Sequence, residues 1–140
     1  MPRIQRILET ALYVQNLEQC AAWYQDVFGF AQMFSNDRLI ALDVAPHSTL
    51  LLFRKGASDT TTVVPGGVIP PHDGMGRLHF ALAIAHEDLE DWRELLEQKG
   101  VKLESEVNPR NGGHSLYLRD LDGNLVELAA PGLWSNDPKW

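Results

Sequence analysis

The chain has 140 residues, enough for one compact domain that buries roughly two thirds of its unfolded surface. Residues of the AVILMFWYC set make up 44% of it, which argues against disorder, and no apolar run reaches the roughly 18 residues of a membrane span. Lys and Arg number 12 against 19 Asp and Glu, and the net charge of −7 repels phosphate backbones and disfavours nucleic acid as a partner.

Residues 1–6 lack the apolar stretch of a secretory signal. Cys20 is the only cysteine, so no internal disulfide forms and a Cys-based zinc site is excluded. The expected compartment is the cytoplasm.

Glu9-Thr-Ala-Leu-Tyr-Val14 alternates like a strand and is matched, at an offset of 70 residues and without a gap, by His79-Phe-Ala-Leu-Ala-Ile84. Each segment is followed by a Leu-Glu pair and a helical pattern. The first helix is predicted over 17–28, with Cys20, Trp23, Tyr24, Val27 and Phe28 on one apolar stripe, Asn16 as N-cap and Gly29 just past its end. Strands are expected near 31–35, 39–44 and 49–54. The stretch 55–77 holds Pro65-Gly66-Gly67, Pro70-Pro71 and Asp73-Gly74-Met75-Gly76 and reads as a long functional or linking loop. The second helix is predicted over 89–99, with Leu89, Trp92, Leu95 and Leu96 inward and Gly100 ending it. Strands follow near 102–107, 115–119 and 125–129, with Asp122-Gly123-Asn124 as a hairpin turn. The chain therefore reads as βαβββ twice: module one over about 7–54, loop 55–77, module two over about 78–130 and a tail over 131–140, together a single domain over 1–140.

Specific residues carry a resemblance. Leu12-Tyr13-Val14, Leu17-Glu18 and Trp23-Tyr24-Gln25-Asp26-Val27-Phe28-Gly29-Phe30 look like the first strand and helix of the vicinal oxygen chelate superfamily. Leu116-Tyr117-Leu118-Arg119-Asp120-Leu121-Asp122-Gly123-Asn124-Leu125-Val126-Glu127-Leu128 resembles its final hairpin. That group includes glyoxalase I, fosfomycin-resistance proteins, extradiol dioxygenases and bleomycin-resistance proteins. The resemblance spans about residues 7–130 and implies an α+β fold of two paired βαβββ modules, forming a curved mixed sheet around a central cavity. It also implies a homodimer. It leaves the reaction open, because the fold hosts isomerases, transferases, dioxygenases and metal-free binders.

Strand parity points to candidate site residues. Glu9, Ala11 and Tyr13 share a face, as do His79, Ala81 and Ala83, and the alanines leave space where a core would want volume. Glu127 interrupts the apolar run 125–129, and a buried carboxylate needs a partner or a metal. The resemblance implies that Glu9, His79 and Glu127 ligate one divalent ion (Mn, Fe, Ni, Zn or Mg). The fourth equivalent falls near Leu51 or Leu52, which cannot bind metal, so positions stay open for substrate. Many members carry His where this chain has Glu9, and the resulting harder ligand set counts against a dioxygenase. The bland alternatives are an exposed strand-end Glu9, a hydrogen-bonded His79, and a Glu127 paired with Arg119 or Arg38. Glu127 and Glu9 are the candidate proton-moving groups. His72 on the loop, Ser115 and Tyr117 beside Glu127, Arg110 and Phe53 are candidate substrate contacts. Against them stand a loop histidine, hydroxyls bonded to neighbours, a solvated arginine and core packing. His47, His86 and His114 read as surface residues.

Two functions compete. The first is a metal-dependent glyoxalase-like enzyme, of lyase/isomerase or dioxygenase type, acting on a small oxygen-rich substrate. The second is a non-catalytic binder of the bleomycin-resistance type. Thiol transfer of the fosfomycin type ranks last, since no dense Lys/Arg cluster lies near the proposed ligands. The tail from Trp134 to Trp140 is a candidate dimer contact or a frayed end.

Overall fold

In the computed structural model, which describes residues 1–110 and 112–137, regular structure follows the periodicity of the sequence closely. Asn111 and 138–140 lie outside the described residues, and with them the Trp140 end of the expected tail contact. Strand β1 (Glu9–Val14) buries Leu12 and Val14 on one face. The side chain of Asn16 then accepts a 3.0 Å hydrogen bond from the Gln19 N–H and starts helix α1 (Leu17–Phe28). Gly29, at φ +73°, ends it in the left-handed conformation that glycine adopts without strain. Cys20, Tyr24 and Val27 are buried along the predicted stripe, Trp23 and Phe28 are half-buried, and the helix packs on β3 (Leu39–Ala45) and β4 (Ser48–Arg54). With β2 (Ala31–Ser35) these strands form a mixed sheet in the order β1-β4-β3-β2, in which β1 runs parallel to β4.

The stretch expected as plain loop carries a hairpin, β5 (Thr62–Val64) and β6 (Gly67–Ile69). Val63-Val64 and Val68-Ile69, all β-branched, stand on either side of Pro65-Gly66-Gly67, and Gly66 takes φ +93°. The dense Pro and Gly content hid this strand signal.

The second module repeats the first. Strand β7 (His79–Ala83), a 3₁₀ turn (His86–Asp88), helix α2 (Leu89–Gln98), β8 (Ser105–Val107), β9 (His114–Arg119) and β10 (Leu125–Ala130) give the order β7-β10-β9-β8, with β7 parallel to β10. Leu89 and Leu96 of α2 are buried, and Trp92 and Leu95 are half-buried. β8 is shorter than the predicted 102–107; upstream of it the Glu104 N–H already bonds the Tyr117 carbonyl at 2.8 Å. By internal contacts the chain forms two compact units, Met1–Gly76 and Arg77–Trp140.

One buried polar knot holds the hairpin of the second unit. Asp120 accepts from the Asp122 and Asn124 N–H groups and from the Asn124 amide at 2.8–2.9 Å. Asn124, fully buried, accepts in turn from the Leu78 N–H at 2.9 Å and so ties the β9–β10 turn to the start of β7. Asn124→Ala removes the acceptor of the Leu78 N–H and the amide donor to Asp120 Oδ2. It is expected to cost about 2–4 kcal/mol, read as a lowered midpoint in urea unfolding followed by circular dichroism.

Candidate functional site

The register of β10 places the chemistry of the second unit. Glu127 lies opposite Tyr117 on β9 and Ala81 on β7, and Ala129 lies opposite Ser115 and Ala83. Glu127 is therefore flanked on its own face by two hydroxyls and two alanines. Its Oε1 accepts from Ser115 Oγ at 2.5 Å and from Tyr117 Oη at 3.1 Å. Its Oε2 lies 3.2 Å from His79 Nε2. The carboxylate is buried, at 7% exposure, and these three groups are its partners; Arg119 instead meets Glu104, and Arg38 meets Ser58 and Thr62. Burial pushes the Tyr117 phenol up; a Ser115 hydrogen bond opposes this and the Glu127 charge adds to it.

The histidine geometry is informative. His79 Nδ1 lies 3.0 Å from the Leu125 carbonyl oxygen, which can only accept, so Nδ1 carries a proton. In the neutral ring Nε2 then presents a lone pair to a carboxylate oxygen. Two acceptors at 3.2 Å need a shared proton or a cation between them. The separation suits two ligands sharing one ion with bonds of about 2.1 Å each. The donor set, one imidazole and one carboxylate oriented by two hydroxyls, fits a divalent metal.

Glu9 stands at the exposed start of β1, opposite Thr49. The structure brings His79 and Glu127 together but adds no third ligand: among the described residues no three His, Cys, Asp or Glu side chains are placed to hold a metal ion. The pairing of Ala11 with Leu51, which matches that of Ala81 with Glu127, identifies Leu51 rather than Leu52 as the equivalent of Glu127.

Of the candidate substrate contacts, Ser115 and Tyr117 are engaged with Glu127, and Arg110 is exposed. His72 and Phe53 belong to a cluster in the first unit. His72 Nδ1 is 2.7 Å from Tyr13 Oη, its ring meets the Phe53 ring edge-on at 4.6 Å, and Tyr13 stacks on Phe53 at 5.7 Å. Burial, and then the Asp73 charge, push the Tyr13 phenol up. His47 is exposed and His86 bonds the Pro131 carbonyl. His114 corrects the surface reading: it is half-buried against Glu106, which also binds Arg93.

A cavity of about 400 Å³ opens beside Glu127, lined by Ala81, Ala83, Tyr117 and Ala129 and, on another side, by Pro131, Leu133, Trp134 and Asp137. Sequence reasoning assigned Leu133, Trp134 and Asp137 no place in this wall. Asp137 Oδ2 accepts from the N–H groups of Gly132, Leu133 and Trp134 at 2.8, 2.7 and 2.9 Å. The Pro131-Gly132 dipeptide followed by Asp137 was the available signal for a turn of this kind.

Each unit thus carries a βαβββ sheet with one parallel strand pair, and the second adds a buried carboxylate facing an imidazole. Comparison with known sequences makes the assignment: a model of the Glyoxalase/Bleomycin resistance protein/Dioxygenase superfamily matches residues 6–128, and the chain belongs to that family. Enzymes of the family typically bind a divalent metal, and its members commonly are enzymes. The chain is 28% identical over 133 residues to catechol-2,3-dioxygenase of Bacillus subtilis (strain 168), matching 90% of this chain and 42% of that protein. It thus spans about two fifths of the length of that curated relative. Among solved structures, lactoylglutathione lyase from Agrobacterium tumefaciens superposes with a TM-score of 0.86 at 29% identity, over 96% of this chain and 99% of that one. The fosfomycin resistance protein FosX from Listeria monocytogenes, complexed with Mn(II) and sulfate ion, shares the fold at a TM-score of 0.68 and 21% identity, over 94% of each chain. No helix among the described residues is long and apolar enough to cross a membrane.

The tail turn has a measurable acid limit. The N–H groups of Trp134, Gly132 and Leu133 hold the Asp137 carboxyl below the ordinary aspartate range, against a smaller opposing effect of desolvation. A depressed folded-state value contributes stability above the ordinary range and loses it as pH falls through the depressed value. In thermal melts Asp137→Asn is therefore expected to be less stable than the parent at neutral pH, with the difference shrinking below about pH 4.

Proposed function

We propose that the protein is a metal-dependent enzyme of glyoxalase-like type, acting on a small oxygen-rich molecule at the His79–Glu127 end of the second module. The observation that carries this reading is the facing of His79 Nε2 and Glu127 Oε2 at 3.2 Å, with the other nitrogen and the other oxygen each committed elsewhere. A divalent ion bound there would supply Lewis-acid polarisation of neighbouring substrate oxygens.

The chain's own groups have separable roles. His79 is fixed in one tautomer by the Leu125 carbonyl, which keeps Nε2 available as a ligand. Ser115 and Tyr117 hold Oε1 of Glu127, orienting the carboxylate so that Oε2 points at His79. Glu127 is the candidate proton acceptor, and Tyr117 Oη, in contact with it, is placed to relay a proton toward the cavity. Glu9 is the candidate third ligand and second acid–base group, carried over from the ligand pattern of the family. The ligand pattern and the family membership together also favour a homodimer. Proteins of this family commonly form dimers and bind small molecules. Both lyase/isomerase and dioxygenase chemistry remain within this reading, the first favoured by the two-carboxylate ligand set.

The test is metal content after gentle purification, read by elemental analysis. The parent is expected to hold near-stoichiometric divalent metal, and Glu127→Ala, His79→Ala and Glu9→Ala to lose it. Ser115→Ala and Tyr117→Phe are expected to bind metal about 10- to 100-fold more weakly, since they orient a ligand without being one. A parent that neither retains nor takes up metal would overturn the reading and favour a metal-free binding protein.

A further inference from the structure

The cavity beside Glu127 has a wall that the repeated fold does not provide. Residues after β10 turn back over it, and three observations make this turn a built feature. Asp137 closes it through three successive N–H groups, and its own N–H returns a 3.0 Å bond to the Trp134 carbonyl. Gly132, at φ +118°, lies so close to the Gly112–Gly113 backbone that a Cβ there would overlap the Gly113 amide nitrogen. A Cβ on Gly113, at φ +77°, would in turn stand 2.6 Å from Leu133 Cδ2. The two glycine backbones interlock because neither carries a side chain.

The consequence is a large aromatic residue at the cavity. Trp134 is 73% exposed, yet it lines the same space as Ala83, Ala129, Tyr117 and Glu127. An indole left in water beside a pocket floored with alanines offers a flat apolar surface to a ligand. Charge narrows the class further. Among the described residues the cavity lining includes Glu127 and Asp137 and no Lys or Arg, so away from the His79–Glu127 end no cation in it pairs with an anionic ligand group.

We propose that Trp134 is the specificity-determining wall of this cavity and Asp137 the residue that positions it, so that the site takes an uncharged ligand with a flat apolar face and disfavours anions. This deepens the reading above by naming the ligand class of the same cavity. Trp134 contributes stacking area next to the oxygens that Glu127 and His79 address. Asp137 acts on the flat ligand face through Trp134: its carboxylate gathers the backbone of the turn, and the turn sets where the indole stands.

The experiment is isothermal titration of three probes that share two vicinal oxygens: catechol, its carboxylated analogue protocatechuate, and the non-aromatic cis-1,2-cyclohexanediol. Parent, Trp134→Ala, Trp134→Phe, Asp137→Asn and the Trp134→Ala/Asp137→Asn double variant are compared, with metal content measured on each. Catechol is expected to bind the parent more tightly than either other probe. Trp134→Ala is expected to weaken catechol binding about 3- to 10-fold with metal content unchanged, and Trp134→Phe to restore most of it. Asp137→Asn is expected to weaken catechol alone and to add nothing in the Trp134→Ala background, an outcome that general loosening of the fold would not produce.

Equal catechol affinity in parent and Trp134→Ala overturns the proposal and leaves the metal-site reading standing, provided metal is still bound. Failure of the parent to bind catechol, or protocatechuate bound as tightly as catechol, also overturns it. A parent without metal whose ring binding still depends on Trp134 upholds this proposal and overturns the enzyme reading instead.

Discussion

The site depends on one constraint, the cost of keeping the Glu127 carboxylate away from water. An ionised carboxyl in a strand that also buries Val126 and Leu128 is tolerated only where donors or positive charge surround it. The surrounding residues follow from that requirement. Ser115 and Tyr117 alternate with buried Leu116 and Leu118 on β9, so the same pleat that fills the core delivers two hydroxyls to Oε1. His79 arrives from β7, which runs parallel to β10 two positions out of step with Glu127. The fold brings these groups together through strand register, and the chemistry of the pair follows from what is left unsatisfied on Oε2 and Nε2.

The two units share one topology and divide the labour. In equivalent register positions the second unit has Glu127, Tyr117 and Ser115 where the first has Leu51, Ala41 and Leu39. It also has Ala83 and Ala129 where the first has Tyr13 and Phe53. The first substitution set supplies the oriented carboxylate, and the second supplies the cavity. In the first unit the corresponding face is filled instead. Tyr13 and Phe53 stack, His72 of the connecting stretch caps them, and a Cβ at Gly74 would overlap the Tyr13 ring. A volume difference of two aromatic rings separates a packed face from an open cavity on the same scaffold.

Much of this was legible in the sequence because it is local or periodic. The 70-residue offset aligned Glu9 with His79, and the structure puts both at the first position of a strand. The bounds of α1 followed from Asn16 and Gly29, and the interruption of an apolar run marked Glu127 as needing partners. What escaped was non-local or masked by composition. The β5–β6 hairpin was hidden among turn residues, although Val63 and Val68 stand opposite each other across it. The half-buried place of His114 depends on Arg93 and Glu106, which lie 21 and 8 residues away along the chain. The turn at 131–137 depends on a backbone approach between Gly113 and Gly132, which no periodicity announces.

That division bears on how one scaffold serves several reactions. The repeated part of the chain carries what the chemistry needs to be held rigidly: an imidazole and a carboxylate on adjacent parallel strands, with their free atoms facing each other. The parts outside the repeat carry what a ligand would meet first, and they tolerate change because few core contacts depend on them. The Asp137 turn illustrates the economy of this arrangement. A short segment, closed by one carboxylate on three amides, places an indole at a cavity whose floor is set by strand register. Replacing that segment would change which molecules fit and leave the Glu127–His79 pair where the sheet puts it, so selection for a new ligand can act on the tail without unsettling the buried charge.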